Sequence, residues 1–189
     1  MDLVPTPWQT VGPYLHIGMT NTHSVGCIAG PGVKGERVWL HLRLLDGDGI
    51  PVPDGMIEIW QANAEGKYNH PEDTTDTPVD DSFRGFGRMP TGEDGSCSFE
   101  TIKPGRVIAP DGRLQAPHLN VGVFGRGLLK RLVTRIYFAG DIANASDPVL
   151  GLVPERLRRM LMAQPDGKPQ SWRMDIHLCG EAETVFFDV

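Results

Sequence analysis

No stretch of this 189-residue chain approaches about 18 consecutive apolar residues, so a membrane-spanning helix is not expected. Basic residues never run longer than two in a row, and the formal net charge is −6, which argues against nucleic acid as a partner. Cysteine is scarce. Cys27, Cys97 and Cys179 are far apart and odd in number, and no C-x-x-C occurs, so neither a disulfide framework nor a zinc knuckle is signalled. A reduced, cytoplasmic location is the expectation from that usage. Residues Met1 to Gln9 carry neither a positive segment nor an apolar one, so no secretory leader is expected. Tyrosine occurs three times, at Tyr14, Tyr68 and Tyr137, which limits any chemistry that needs several phenolates.

What is abundant is glycine and proline, 23 and 16 residues scattered between apolar runs. Many tight turns and a β-rich fold follow from that spacing. Val38, Leu40, Leu42 and Leu44 alternate with Arg37, Trp39, His41 and Arg43, the period of a half-buried strand. Further strands are expected at 56–61, 97–102, in the first half of the stretch that starts at 115–127, at 132–138, 171–178 and 184–187, and one helix from about Pro154 to Ala163. The expected fold is mainly β, a sandwich with one late helix, formed as a single domain over residues 1–189. Residues 1–15 form an N-terminal arm. Its prolines and glycine exclude helix over 6–14, and Trp8 and Tyr14 give it anchors for packing on something else. The segment 69–88 is a long polar loop, a length that is usually functional or disordered. Asp46-Gly47-Asp48-Gly49 opens like a calcium loop but lacks the later ligands, so it reads as a turn.

The chain is organised around Gln115-Ala116-Pro117-His118-Leu119-Asn120, a strand entered through proline. His118 and Asn120, two residues apart, share one face, as a His-x-His metal clamp would if one histidine were lost. Taken alone, His118 is more readily a hydrogen-bonded strand residue, bonded to Asn120, than a ligand. In Phe124-Gly125-Arg126-Gly127 the glycines let the backbone approach closely and the guanidinium project; the plain alternative is a solvated turn charge.

Several segments together resemble the intradiol aromatic-ring dioxygenases: Gly12-Pro13-Tyr14, Glu58-Ile59-Trp60-Gln61-Ala62, Gly66-Lys67-Tyr68, Phe83 to Arg88, Thr101-Ile102-Lys103-Pro104-Gly105, Ala116-Pro117-His118 and Ile136-Tyr137-Phe138. They occur in the family's order over nearly the whole chain. The resemblance implies a catechol-dioxygenase-type β-sandwich. Iron-binding members hold Fe(III) with two tyrosinates and two histidines, and the matching positions here are Thr75, Val107, His118 and Asn120. Three of the four ligands are missing, and a threonine, a valine and an amide do not rebuild a ferric site. The arginine that precedes the histidine pair is here Gln115.

The resemblance therefore implies an iron-free α-type subunit of a higher hetero-oligomer. Its partner would be a β subunit that holds the Fe(III), with protocatechuate and O2 as substrates and 3-carboxy-cis,cis-muconate as product. It places Arg126, Thr10, Gly12, Pro13 and Tyr14 beside the partner's pocket, where a guanidinium suits a substrate carboxylate. No catalytic residue and no metal ligand is expected in this chain. Two rivals from other classes are a binding or scaffold module that holds an aromatic acid beneath His118, and a metalloenzyme that uses His118 with carboxylates of the 69–88 loop.

Overall fold

The computed structural model describes residues 4–188, so the first three residues of the expected arm and Val189 lie outside the described residues. Eight strands make the body: β1 (Arg37–Leu45), β2 (Met56–Trp60), β3 (Phe86–Pro90), β4 (Ser96–Ile102), β5 (His118–Phe124), β6 (Leu132–Phe138), β7 (Met162–Pro165) and β8 (Ser171–His177). They hydrogen-bond in the order β3-β2-β5-β6-β7-β8-β1-β4. One continuous sheet thus folds into two facing layers, and the short β7 is the seam. It meets β6 through the pairs Tyr137↔Met162 and Phe138↔Ala163, and meets β8 through Gln164↔Arg173 and Pro165↔Trp172.

The core lies between the layers, as the alternation in the sequence predicts. Leu40, Leu42 and Leu44 of β1, Ile57 and Ile59 of β2, Phe99 of β4, Leu119, Val121 and Val123 of β5, and Ile136 of β6 are all buried in one cluster. Each such side chain contributes about 1.5–3 kcal/mol when removed from water. Burying Leu119, Val121 and Val123 turns the intervening residues of β5, His118, Asn120 and Gly122, to the opposite face of the sheet.

Several expectations are corrected. The late helix is one turn, α2 (Glu155–Arg158), followed by a 3₁₀ turn at Arg159–Leu161 and then β7. Leu161 and Ala163 are both fully buried two residues apart, a strand spacing that overrides the helical pattern. Residues 184–187 form no strand; they are an extended tail beside β6, fixed by Phe187 N–H to Val133 O at 2.8 Å and Thr134 Oγ1 to Val185 O at 2.7 Å. The supposed loop 69–88 ends in β3, whose alternation is hidden because its inward residue is Gly87. A Cβ there would meet Phe99 Cδ1 at 2.9 Å.

The arm also differs from expectation at its end, where Tyr14–Met19 form a short helix (α1) with no buried residue. Pro13 precedes it with φ −60° and ψ −23°, a geometry in which its ring is compatible with a helix start. The Asp46 carboxylate accepts the N–H groups of Asp48 at 2.9 Å and Ile50 at 2.8 Å, closing the acidic turn on itself. No described helix is long and apolar enough to cross a membrane.

Candidate functional site

The residues singled out in the sequence gather at the two ends of β5. At its C-terminal end, Gly125–Gly127 turn the chain toward β6, and Gly127 adopts φ +88°, which a side chain would strain. Thr10 of the arm is docked on this turn. Its Oγ1 accepts the Gly127 N–H at 2.8 Å and lies 3.5 Å from the Gly125 carbonyl. Arg126 projects from the same turn, its side chain 68% exposed, and Nη2 donates to Asp54 Oδ2 at 2.7 Å. Gly12 and Pro13 are exposed, Tyr14 is 80% exposed and Trp8 75%. The fold therefore brings Thr10 and Arg126 together. It leaves Gly12, Pro13 and Tyr14 facing solvent beside them in sequence.

The N-terminal end of β5 is closed. His118 is buried, and its Nδ1 bonds the Ala116 carbonyl at 2.8 Å, so Nδ1 carries the proton and Nε2 the lone pair. Burial first, and the Arg135 guanidinium second, hold its pKa down to about 4. The expected His118–Asn120 bond is not formed. Asn120 Nδ2 instead donates to Tyr68 Oη at 2.9 Å, because two side chains on one strand face lean apart toward their neighbours. Tyr68 lies outside any strand and stacks on Trp60, with ring centroids 5.7 Å apart. Burial pushes its phenol pKa up. Tyr137 packs against His118 at 5.7 Å, and burial raises its pKa as well.

Thr75 and Val107 line a neighbouring cavity of about 520 Å³ with Trp60, Tyr68, Glu72 and Asp73. His118 does not line it, which corrects the expected cavity beneath that residue. Thr75 is committed elsewhere. Its Oγ1 donates to Asp73 Oδ1 at 2.6 Å, and its carbonyl accepts from the buried Lys67 Nζ at 2.6 Å. Burial pushes the Asp73 pKa up, but the bonds from Thr75, the Tyr68 N–H and Lys67 outweigh it and bring it to about 2.

These groups do not fit a ferric ion. Val107 has no donor atom, Thr75 spends its hydroxyl on Asp73, Asn120 offers only a neutral amide, and both phenols are held in the neutral form. Among the described residues, no group of three or more His, Cys, Asp or Glu side chains is arranged to hold a metal.

Sequence reading missed Arg135 and Asp147, which fix this end of β5, and Lys67, which holds Asp73 and Thr75 beside it. Asp147 is 3% exposed and accepts the Ala116 N–H at 2.7 Å, Tyr137 Oη at 3.1 Å, and the N–H groups of Val149 at 2.9 Å and Leu150 at 2.7 Å. Arg135 carries no signal of its own until the strand register is known. An antiparallel β5–β6 pair sets Arg135 opposite Asn120 and Tyr137 opposite His118.

The profile of the Dioxygenase family matches residues 12–180. The chain is 41% identical over 201 residues to the protocatechuate 3,4-dioxygenase alpha chain of Burkholderia cepacia, covering 99% of this chain and 98% of that protein. It is 38% identical over 160 residues to the protocatechuate 3,4-dioxygenase beta chain of the same organism, covering 79% of this chain and 67% of that one. Among solved structures it resembles 3-chlorocatechol 1,2-dioxygenase from Rhodococcus opacus 1CP, with a TM-score of 0.62, 21% identity, and coverage of 80% of this chain and 62% of that one. On the match of profile, full-length relatives and strand arrangement, the chain belongs to the intradiol dioxygenases of the Dioxygenase family.

Proposed function

We propose that this chain is the iron-free α subunit of a protocatechuate 3,4-dioxygenase. It completes, in the cytoplasm, the active site of a β subunit that holds the Fe(III). The complex cleaves protocatechuate between its hydroxyl-bearing carbons with O2, giving 3-carboxy-cis,cis-muconate, and the pairs assemble into a higher hetero-oligomer. The full-length likeness to an alpha chain supports this reading.

The observation that carries it is the separation along β5. His118 and Phe124 stand six residues apart on one strand, so the remnant site and the arginine turn lie about 20 Å from each other. Arg126 cannot reach the pocket of its own chain. A guanidinium exposed on a turn, held among the described residues only by Asp54 and flanked by the tethered arm, is free to serve a neighbour. There its fork pairs with a carboxylate on the substrate. Thr10, Gly12, Pro13 and Tyr14 form the rest of this wall, and the exposed Trp8 and Tyr14 rings give the arm, residues 1–15, its purchase on the partner. The rival reading as a module for an aromatic acid is disfavoured by the cavity beside Tyr68, whose described lining holds Glu72 and the Lys67-paired Asp73 but no lysine or arginine for a carboxylate.

Co-expression with a β chain carrying the two tyrosines and His-x-His should give a complex with one iron per pair and protocatechuate-dependent oxygen uptake. In that complex Arg126→Ala should raise KM roughly 10- to 100-fold, the loss of a charge-assisted pair, with iron content unchanged. An unaltered KM would remove Arg126 from the pocket.

A further inference from the structure

The layer formed by β7, β8, β1 and β4 carries a groove of about 560 Å³ on its outward face. Leu40, Leu42 and Leu44 point into the core, so His41 and Arg43 of β1 point out. Met174 and Ile176 likewise turn Arg173, Asp175 and His177 of β8 outward. The parallel register sets His41 beside Arg173 and Arg43 beside Asp175, and β7 adds Gln164 next to Arg173. Two segments wall this floor. One is the 3₁₀ turn Arg159–Leu161, anchored by the fully buried Leu161, which contributes Arg159. The other is the C-terminal tail, pinned to β8 where the Thr184 N–H donates to His177 O and Thr184 Oγ1 accepts the His177 N–H, both at 3.0 Å.

The charge of the groove is one-sided. Its lining holds Arg43, Arg159 and Arg173 against a single carboxylate, Asp175, on a chain whose net charge is −6. Asp175 is already taken by Arg43, at 2.7 and 3.2 Å. Nearby, Asp166 accepts Ser171 Oγ at 2.8 Å and lies 3.8 Å from His41 Nε2, and Asp94 is held by the Ser96 N–H and hydroxyl. Among the described residues, the guanidinia of Arg159 and Arg173 have neither an ion-pair nor a hydrogen-bond partner. A lone exposed arginine is an ordinary solvated charge. Two in one preformed concavity, beside a third arginine and two imidazoles, present donors to more than one oxyanion group. The volume falls in the roughly 300–1,000 Å³ range of small-molecule sites, more than a single ion needs. We propose that this groove binds a small polyanion, a molecule carrying two or more phosphoryl or carboxylate groups. The groove belongs to the layer that carries neither His118 nor Arg126, and the inference does not depend on which reaction the complex performs.

Equilibrium dialysis tests it with pyrophosphate and citrate as probes and acetate as the monoanion, at about 0.15 M salt, where loose surface attraction is screened. The αβ complex should bind pyrophosphate, citrate or both with a Kd at or below about 1 mM, and acetate not detectably. Pyrophosphate alone would mark a phosphorylated ligand, citrate alone a polycarboxylate. Arg159→Gln/Arg173→Gln should weaken the bound probe at least about tenfold. Arg113→Gln/Lys34→Gln removes the same charge from residues outside the groove and should leave binding within about twofold. Failure of both probes to bind at about 10 mM would overturn the proposal. So would acetate binding as tightly as the polyanions, or an equal loss in the two double variants, which would reduce the effect to net charge. If R159Q/R173Q does not fold, the single variant R173Q takes its place under the same outcomes. The full chain alone is dialysed in parallel, so a failure to pair with a β chain and a failure of the groove are read separately.

Discussion

Arg126 and Arg135 flank the same pair of strands and have opposite fates. Arg126 leaves a glycine-flanked turn, is 68% exposed, and is held by one carboxylate that is itself 51% exposed. Arg135 leaves the middle of β6 and is built into Gln115, Tyr137 and, through the phenol, Asp147. An exposed single pair is worth little and exchanges readily for another carboxylate. A cation whose partners come from its own strand and from the segments before β5 and after β6 is part of the fold. The contrast teaches that residue type alone does not mark a binding group; what marks it is how many partners must be given up before a ligand can enter.

The sharpest way to break this comparison is at the closed end. Asp147→Ala leaves the N–H groups of Ala116, Val149 and Leu150 and the Tyr137 hydroxyl without their acceptor, so the chain should lose about 3–5 kcal/mol by chemical denaturation. A loss under about 1 kcal/mol would mean that the network is not structural.

Acid titration probes the same end. His118 has a folded pKa of about 4, below its unfolded value near 6.5, so the unfolded chain takes up the proton first. Its contribution to stability is present above pH ~6.5 and is lost as pH falls to about 4, at most roughly 3 kcal/mol. The stability gap between wild type and His118→Gln should therefore shrink across that window, measured by urea unfolding. A gap that stays constant would mean that His118 takes up its proton equally in the folded and unfolded chain.

At the open end the effects should fall on binding and not on folding. Thr10→Ala removes the hydroxyl that docks the arm on the Gly125–Gly127 turn, a change of about 0.5–1.5 kcal/mol. It should raise KM of the complex by a few-fold while the melting temperature of the isolated chain stays nearly constant. Asp54→Asn is the mildest change. Releasing Arg126 from its exposed partner should lower KM by about twofold or less. A large rise in KM would show that Asp54 positions the guanidinium for substrate.

The fold was legible where burial is one-sided. β1, with apolar residues at every second position, and β5, with Leu119, Val121 and Val123, announced both their strands and their core faces. Legibility failed where one residue had to satisfy two demands. Gly87 fills an inward position without an apolar side chain, and Met162–Pro165 carries a helical-looking pattern but is needed to join the layers. The remnant site was legible by subtraction, since Thr75, Val107 and Asn120 are poor ligands in any structure. The network of Gln115, Arg135, Tyr137 and Asp147 was not, because it takes shape only when the register sets Arg135 opposite Asn120. The Thr10 contact with the turn spans 117 residues and has no local signature.

The parallel ladder of β1 with β8 joins Arg37–Leu45 to Ser171–His177. A ribosome must deliver β2 to β7 before β1 finds this neighbour, so this ladder closes late. Until then β1 offers an unsatisfied edge to whatever strand is nearby. Production in the cell should accordingly depend on holdase chaperones more than the modest size of the chain implies.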